Sequence, residues 1–157
     1  MVHGAPDYYN AKSVAAQPGD TEMRIQIRPT YGAWKRLYYS DTVPGGVTTS
    51  LGSIAGKGMI YGGNILISST GVVDTDFLQL LLDGTVFSNP MMQALNLFSL
   101  SKETCNPFYL LKWDSVLFVY AVGFMPGISF ETSVQVRYSE AVGRTPQIIM
   151  QLFYALI

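Results

Sequence analysis

The chain has 157 residues, a net charge of −1, 48% hydrophobic residues and only 13% charged ones. That length suits one domain with a core of its own, and so apolar a composition excludes a disordered chain. Arg24 with Arg28 and Lys35 with Arg36 are scattered rather than striped, which argues against direct nucleic-acid binding; no unbroken apolar run reaches the ~20 residues of a membrane helix, so no membrane insertion is expected.

Met1 to about Gly19 is polar, contains Pro6 and Pro18, and has no period. It reads as an extended arm, with a simply unstructured terminus as the alternative. The expected organisation is an arm over residues 1–20 and a single sandwich domain over 21–157. Tyr8 and Tyr9 are candidate anchors of the arm on a neighbour. The start, MVHGAPDYYNAKS, lacks the charged start and apolar stretch of a secretory leader. Cys105 stands alone, so no intramolecular disulfide forms. Synthesis in a cytoplasm is expected.

Glu22 to Thr30 alternates, with Met23, Ile25 and Ile27 against Arg24, Gln26 and Arg28, and Pro29 ends it. Trp34–Tyr39 is a second β-like run, closed by a turn at Pro44-Gly45-Gly46. Val47–Ile54 fits a strand. In GKGMIYGGNILISSTG, glycines interrupt β-formers, which predicts a bulge or a close backbone approach at Gly62-Gly63.

Phe77–Phe87 carries Asp83-Gly84 between apolar runs, the signature of a hairpin with positive φ at both central residues. A helical turn over Leu78–Leu82 is the competing reading. Pro90–Leu100 fits a short helix with Asn89 as cap and Pro90 at its first position; a loop with short β pieces fits as well. Phe108–Lys112 is short and extended, and Val116–Phe124 is apolar on both faces, as in a central strand.

Ile128–Ser139 alternates cleanly. Ile128, Phe130, Thr132, Val134, Val136 and Tyr138 face one way, and polar residues face the other. After the turn Gly143–Pro146, Ile148–Leu156 is apolar on both faces. Such a strand belongs inside a sheet or against another copy of the chain, which makes Ile149, Phe153 and Ile157 candidate interface residues. Turns and short strands at roughly 8–12-residue spacing predict an all-β antiparallel sandwich.

Chemistry is sparse. The single histidine, His3, lies in the arm, away from any plausible triad. Lys57 does not complete a phosphate loop. Asp74, Asp76 and Asp83 can seed a calcium site or simply be solvated loop carboxylates. Asp114 with Glu131 is the one imaginable glycosidase pair. Trp34, Tyr38, Tyr39, Tyr61, Trp113 and Tyr120 form either a sugar-stacking platform or core filling. No catalytic, cofactor or metal residue is assigned.

The segments GKGMIYGGNILIS, FLQLLLDGTVF, YLLKWDSVLFVYAVGF and the run from Ile128 to Ile157 resemble the small β-sandwich proteins of phage and other viral particles. These are decoration proteins, minor capsid proteins, and tail or receptor-binding knobs. The resemblance covers Gly46 to Ile157 in its alternation and turns, and carries no functional residue. The LLLDGTVF hairpin alone also looks like one in laminin-G-like lectin sandwiches. The viral resemblance implies a jelly-roll-like sandwich with an N-terminal arm, at most one short helix, and a place in a virion. It also implies self-assembly, with a trimer the expected form, and contact with other particle proteins through the arm. Non-enzymatic, cofactor-free structural work is expected, with carbohydrate or host-receptor binding as the alternative.

Overall fold

A strand that is apolar on both sides is most stable with a hydrogen-bonded neighbour at each edge. Gln147–Leu156, the last strand (β10), has both: Lys35–Thr42 (β1) on one side and Gly58–Ser68 (β3) on the other, antiparallel to each. The computed structural model describes residues 31–98 and 106–157. The expected arm over 1–20 with Tyr8, Tyr9 and His3, the alternating run 22–30, Cys105 and residues 99–100 of the expected helix lie outside the described residues.

The remaining elements are Thr48–Ala55 (β2), Phe77–Leu82 (β4), Thr85–Ser88 (β5), Met92–Leu97 (α1), Phe108–Asp114 (β6), Val119–Phe124 (β7), Ile128–Phe130 (β8) and Ser133–Ser139 (β9). One sheet has the order β1-β10-β3-β7-β6, with β8 also pairing β3; the other runs β2-β9-β4-β5. First pairs with last, second with second-to-last, and β3 with β7 and β8. This is a hairpin rolled up into two sheets, the jelly-roll form of the antiparallel sandwich.

The inward rows meet in one core. Ile65, Ile67, Met150 and Leu152 from the first sheet join Leu51, Leu80, Val134 and Val136 from the second, all buried. The alternation from Ile128 to Ser139 resumes after a change of sheet but breaks at Thr132, which was expected on the inward face and is exposed in the bend between the two strands, its hydroxyl bonded to Asp83. The chain leaves the first sheet after Phe130 and joins the second at Ser133, yet Phe130, Val134, Val136 and Tyr138 all point into the same core. The single long strand expected there is therefore two strands whose inward faces meet the same core.

Three other expectations need adjusting. The helix is one short piece, Met92–Leu97, begun by Met91 without a side-chain cap. Asn89 and Pro90 are not its start, because the Pro90 carbonyl accepts from Leu78 N–H and Met91 bridges Phe77. The strand expected from Val116 starts at Val119, because the Asp114 carboxylate accepts from Val116 and Leu117 N–H and turns the chain there. The Asp83-Gly84 turn is as expected, with φ of 53° and 79°. So is the irregularity by Gly62-Gly63, where the β3–β10 register slips between Phe153 and Tyr154.

Candidate functional site

The first sheet covers the core with one face. Its other face follows from the register in three cross-strand rows. One row runs Ser40, Ile149, Leu66, Ala121, Lys112; the next Tyr38, Gln151, Asn64, Gly123, Tyr109; the third Arg36, Phe153, Gly62. Arg36 and Lys112 are the only charged residues in these rows. No third layer is stacked on this face among the described residues, and Tyr38 and Leu66 stay 53% and 41% exposed. The Asn64 Oδ1 atom is buried without a hydrogen-bond partner.

The face has relief. Tyr38, Ile149 and Phe153 stand on β1 and β10 and Leu66 and Asn64 on β3, whereas Gly62, Ala121 and Gly123 are small. The Tyr109 ring lies where a Cβ of Gly123 would stand, so it lies down along the sheet. Arg36 sits 5.1 Å above the Tyr38 ring, a cation–π distance. At one corner Trp34 stacks on Tyr61 at 4.7 Å, with Tyr31 edge-on to Tyr61 at 6.3 Å.

Of the three interface candidates among the described residues, Ile149 and Phe153 lie half-buried on this face. Ile157 is 51% exposed at the end of the chain, its N–H held by the Lys57 carbonyl. The six aromatic residues weighed as a sugar platform are not one surface. Trp34, Tyr61 and Tyr38 are on the outer side; Tyr39 and Trp113 pack against the core, and Tyr120 is fully inside it, edge-on to Trp113.

The carboxylates separate likewise. Asp76 precedes β4 and Asp83 follows it, so the full strand stands between them and they cannot share an ion. Asp83 is consumed in the fold: its carboxylate accepts from the N–H groups of Glu131, Thr132 and Ser133 and the Thr132 hydroxyl. Those bonds, chiefly Thr132 and Ser133 N–H, hold its pKa down at about 2. Asp114 lies at the end of the sandwich bearing the β6–β7 turn, and Glu131 at the opposite end in an exposed ion pair with Lys57. They are no catalytic pair. Among the described residues no group of three His, Cys, Asp or Glu is placed to hold a metal.

One polar cluster was not foreseen as such. The Arg144 guanidinium bonds Asp76 Oδ1 and Glu140 Oε1, each at 2.8 Å. Asp76 also accepts from the Tyr138 hydroxyl and Ala141 N–H; Glu140 Oε2 accepts from Gly46, Val142 and Gly143 N–H. All four carboxylate oxygens are thus occupied by the chain itself. The cluster ties the β1–β2, β3–β4 and β9–β10 connections together at one end of the sandwich. It is a clamp and leaves no group free to act on a substrate. The only sequence signal was Glu140 and Arg144 four apart around Gly143.

Burial raises the Asp76 carboxyl, and its hydrogen bonds do not fully offset that. Burial would raise Glu140 too, but Arg144 and the Gly46 and Gly143 N–H groups overcome it and hold Glu140 at about 2, against an ordinary 4.5. A carboxyl lowered on folding stabilises above its unfolded pKa and loses that contribution as pH falls through the folded value. Stability contributed by Glu140 should therefore drain between about pH 4.5 and 2, by about 3 kcal/mol in all. Asp76, shifted the other way, partly offsets this by taking up its proton at higher pH. Urea denaturation across that pH range checks it, and Glu140→Gln should flatten the acid limb.

No protein-family model matches the chain, and no curated protein matches it in sequence.

Proposed function

We propose that this is a non-enzymatic structural protein of a virion or similar particle, of the decoration, minor-capsid or tail-knob kind, that works by self-association. One observation carries the reading: the outer face of the β1-β10-β3-β7-β6 sheet is broad, largely apolar and uncovered among the described residues. Large exposed apolar patches on small proteins mark contact surfaces. The jelly-roll topology supports the same reading, since that architecture is common in capsid and lectin domains. Among the described residues, the carboxylates of Asp76, Asp83, Asp114 and Glu140 are engaged in holding loops.

The test is the mass of the purified full chain in solution, by light scattering with size exclusion. A defined oligomer at micromolar concentration is expected; a stable monomer there overturns the reading. A glycan-binding knob is the second reading, favoured by Trp34, which is 68% exposed and held flat on Tyr61. Saturable oligosaccharide binding by a monomer, lost in Trp34→Ala, would move the assignment there.

A further inference from the structure

We infer that the outer face of the second sheet, β2-β9-β4-β5, holds a site for a carboxylated or sulfated saccharide, centred on Arg137. The inference is independent of self-association and of the Trp34 platform, both of which concern the other sheet.

Strand β9 runs through the middle of this sheet, between β2 and β4. Val134, Val136 and Tyr138 point into the core, so Gln135, Arg137 and Ser139 point out. The register sets Ser50 and Gln79 on either side of Arg137, and Thr48 beside Ser139. The cross-strand rows through Gln135, Arg137 and Ser139 contain no acidic residue.

Arg137 makes no ion pair among the described residues. The acids at the two ends of β9 are engaged elsewhere. Asp83 accepts from N–H groups at its start, and Glu140 belongs to the clamp beyond its end. Yet the guanidinium does not swing freely in water. Its Nε and Nη2 groups both donate to Gln135 Oε1, at 3.0 and 2.7 Å, and Gln135 Nε2 donates to the Ser50 hydroxyl at 2.9 Å. Two steps of hydrogen bonding thus fix the fork in a half-buried position. Its Nη1 side has no protein acceptor among the described residues.

A positioned cation among neutral polar groups selects its ligand. A guanidinium fork matches an oxyanion through two parallel bonds. Phosphopeptides and nucleic-acid backbones are met by clusters of basic residues, and these rows hold one. Around it stand hydroxyls and an amide, and the Thr48 hydroxyl already bonds that of Ser139. Such groups both donate and accept, as sugar hydroxyls do. Three adjacent strands span about 10 Å, the reach of one or two sugar rings. The ligand is therefore an acidic saccharide, its carboxylate or sulfate on Arg137 and its hydroxyls on the flanking side chains.

The test screens the full chain against carboxylated and sulfated oligosaccharides, each beside its neutral parent, and titrates the tightest binder by calorimetry. Acidic sugars should bind roughly tenfold to a hundredfold more tightly than their parents, the worth of a hydrogen bond to a charged group. Arg137→Gln should erase that difference. Gln135→Glu should erase it too, because it gives Arg137 a counter-ion within the protein at almost unchanged shape; an unaltered melting temperature confirms that the fold is kept. Trp34→Ala should leave the binding as it was. Acetate and inorganic sulfate, titrated alone, should bind far more weakly than the sugars that carry them, and equal affinity would overturn the saccharide assignment. Acidic and neutral sugars binding alike, binding that survives both changes on β9, or no binding at all would overturn the site. Loss of binding in Trp34→Ala alone would place the sugar at the aromatic corner, which equally removes Arg137 from its recognition.

Discussion

Arg144→Ala should lower the unfolding free energy by about 3–5 kcal/mol, the cost of removing one partner from a buried ion pair. Among the described residues the guanidinium is the only cation within reach of Asp76 and Glu140, whose side chains are both 0% exposed; its own side chain is 14% exposed. Without it, two carboxyls share a desolvated site with one set of backbone donors. Glu140 keeps the Gly46, Val142 and Gly143 N–H groups and stays ionised. Asp76, already raised by burial, rises further and takes up a proton nearer neutrality. A raised carboxyl costs stability above its folded pKa, so the deficit should be larger at pH 8 than at pH 5. Urea denaturation at the two pH values measures it. A loss under about 1 kcal/mol at pH 8 would mean that water already reaches the pair. Arg144→Lys should recover little, because one ammonium replaces a fork that spans both carboxylates.

This clamp also marks where sequence reading stopped. Asp76 and Arg144 are 68 residues apart and meet only because β4, β9 and the connections around them end together. Read singly, Asp76 was one of three loop carboxylates and Arg144 part of a turn. No local pattern distinguishes a buried carboxylate from a wet one. The strands were more legible, because burying one face imposes a period of two whatever the sheet, and Ile128 to Ser139 keeps that period on both sides of a change of sheet, failing only at Thr132 in the bend. The same rule misplaced the start of β7. Val116 and Leu117 are apolar enough for a strand, but the Asp114 carboxylate captures their N–H groups and turns them outward. The outer face was half legible. Ile149 and Phe153 followed from the doubly apolar last strand. Tyr38, Leu66 and Tyr109 joined them only through the pairing register, which one sequence does not specify.

Gly63→Ala should cost about 3–5 kcal/mol, from overpacking and backbone strain together, while Gly84→Ala should cost about 1–2 kcal/mol. Both glycines have positive φ, but 79° at Gly84 lies near the left-handed region that an alanine can enter, whereas 149° at Gly63 is open essentially to glycine alone. Surroundings widen the difference. A Cβ on Gly63 would strike the Gln151 carbonyl oxygen and stand 2.9 Å from Leu152 Cα, both backbone atoms of β10. β3 cannot retreat, since β7 is hydrogen-bonded to its other edge at the same residue. Relief would require breaking a ladder in the middle of the sheet. A Cβ on Gly84 meets nothing within 4 Å, so only the left-handed backbone of the hairpin turn resists it. Thermal and urea unfolding of the two variants give the comparison. Equal losses would show that β3 and β10 do not approach as closely there as their register implies.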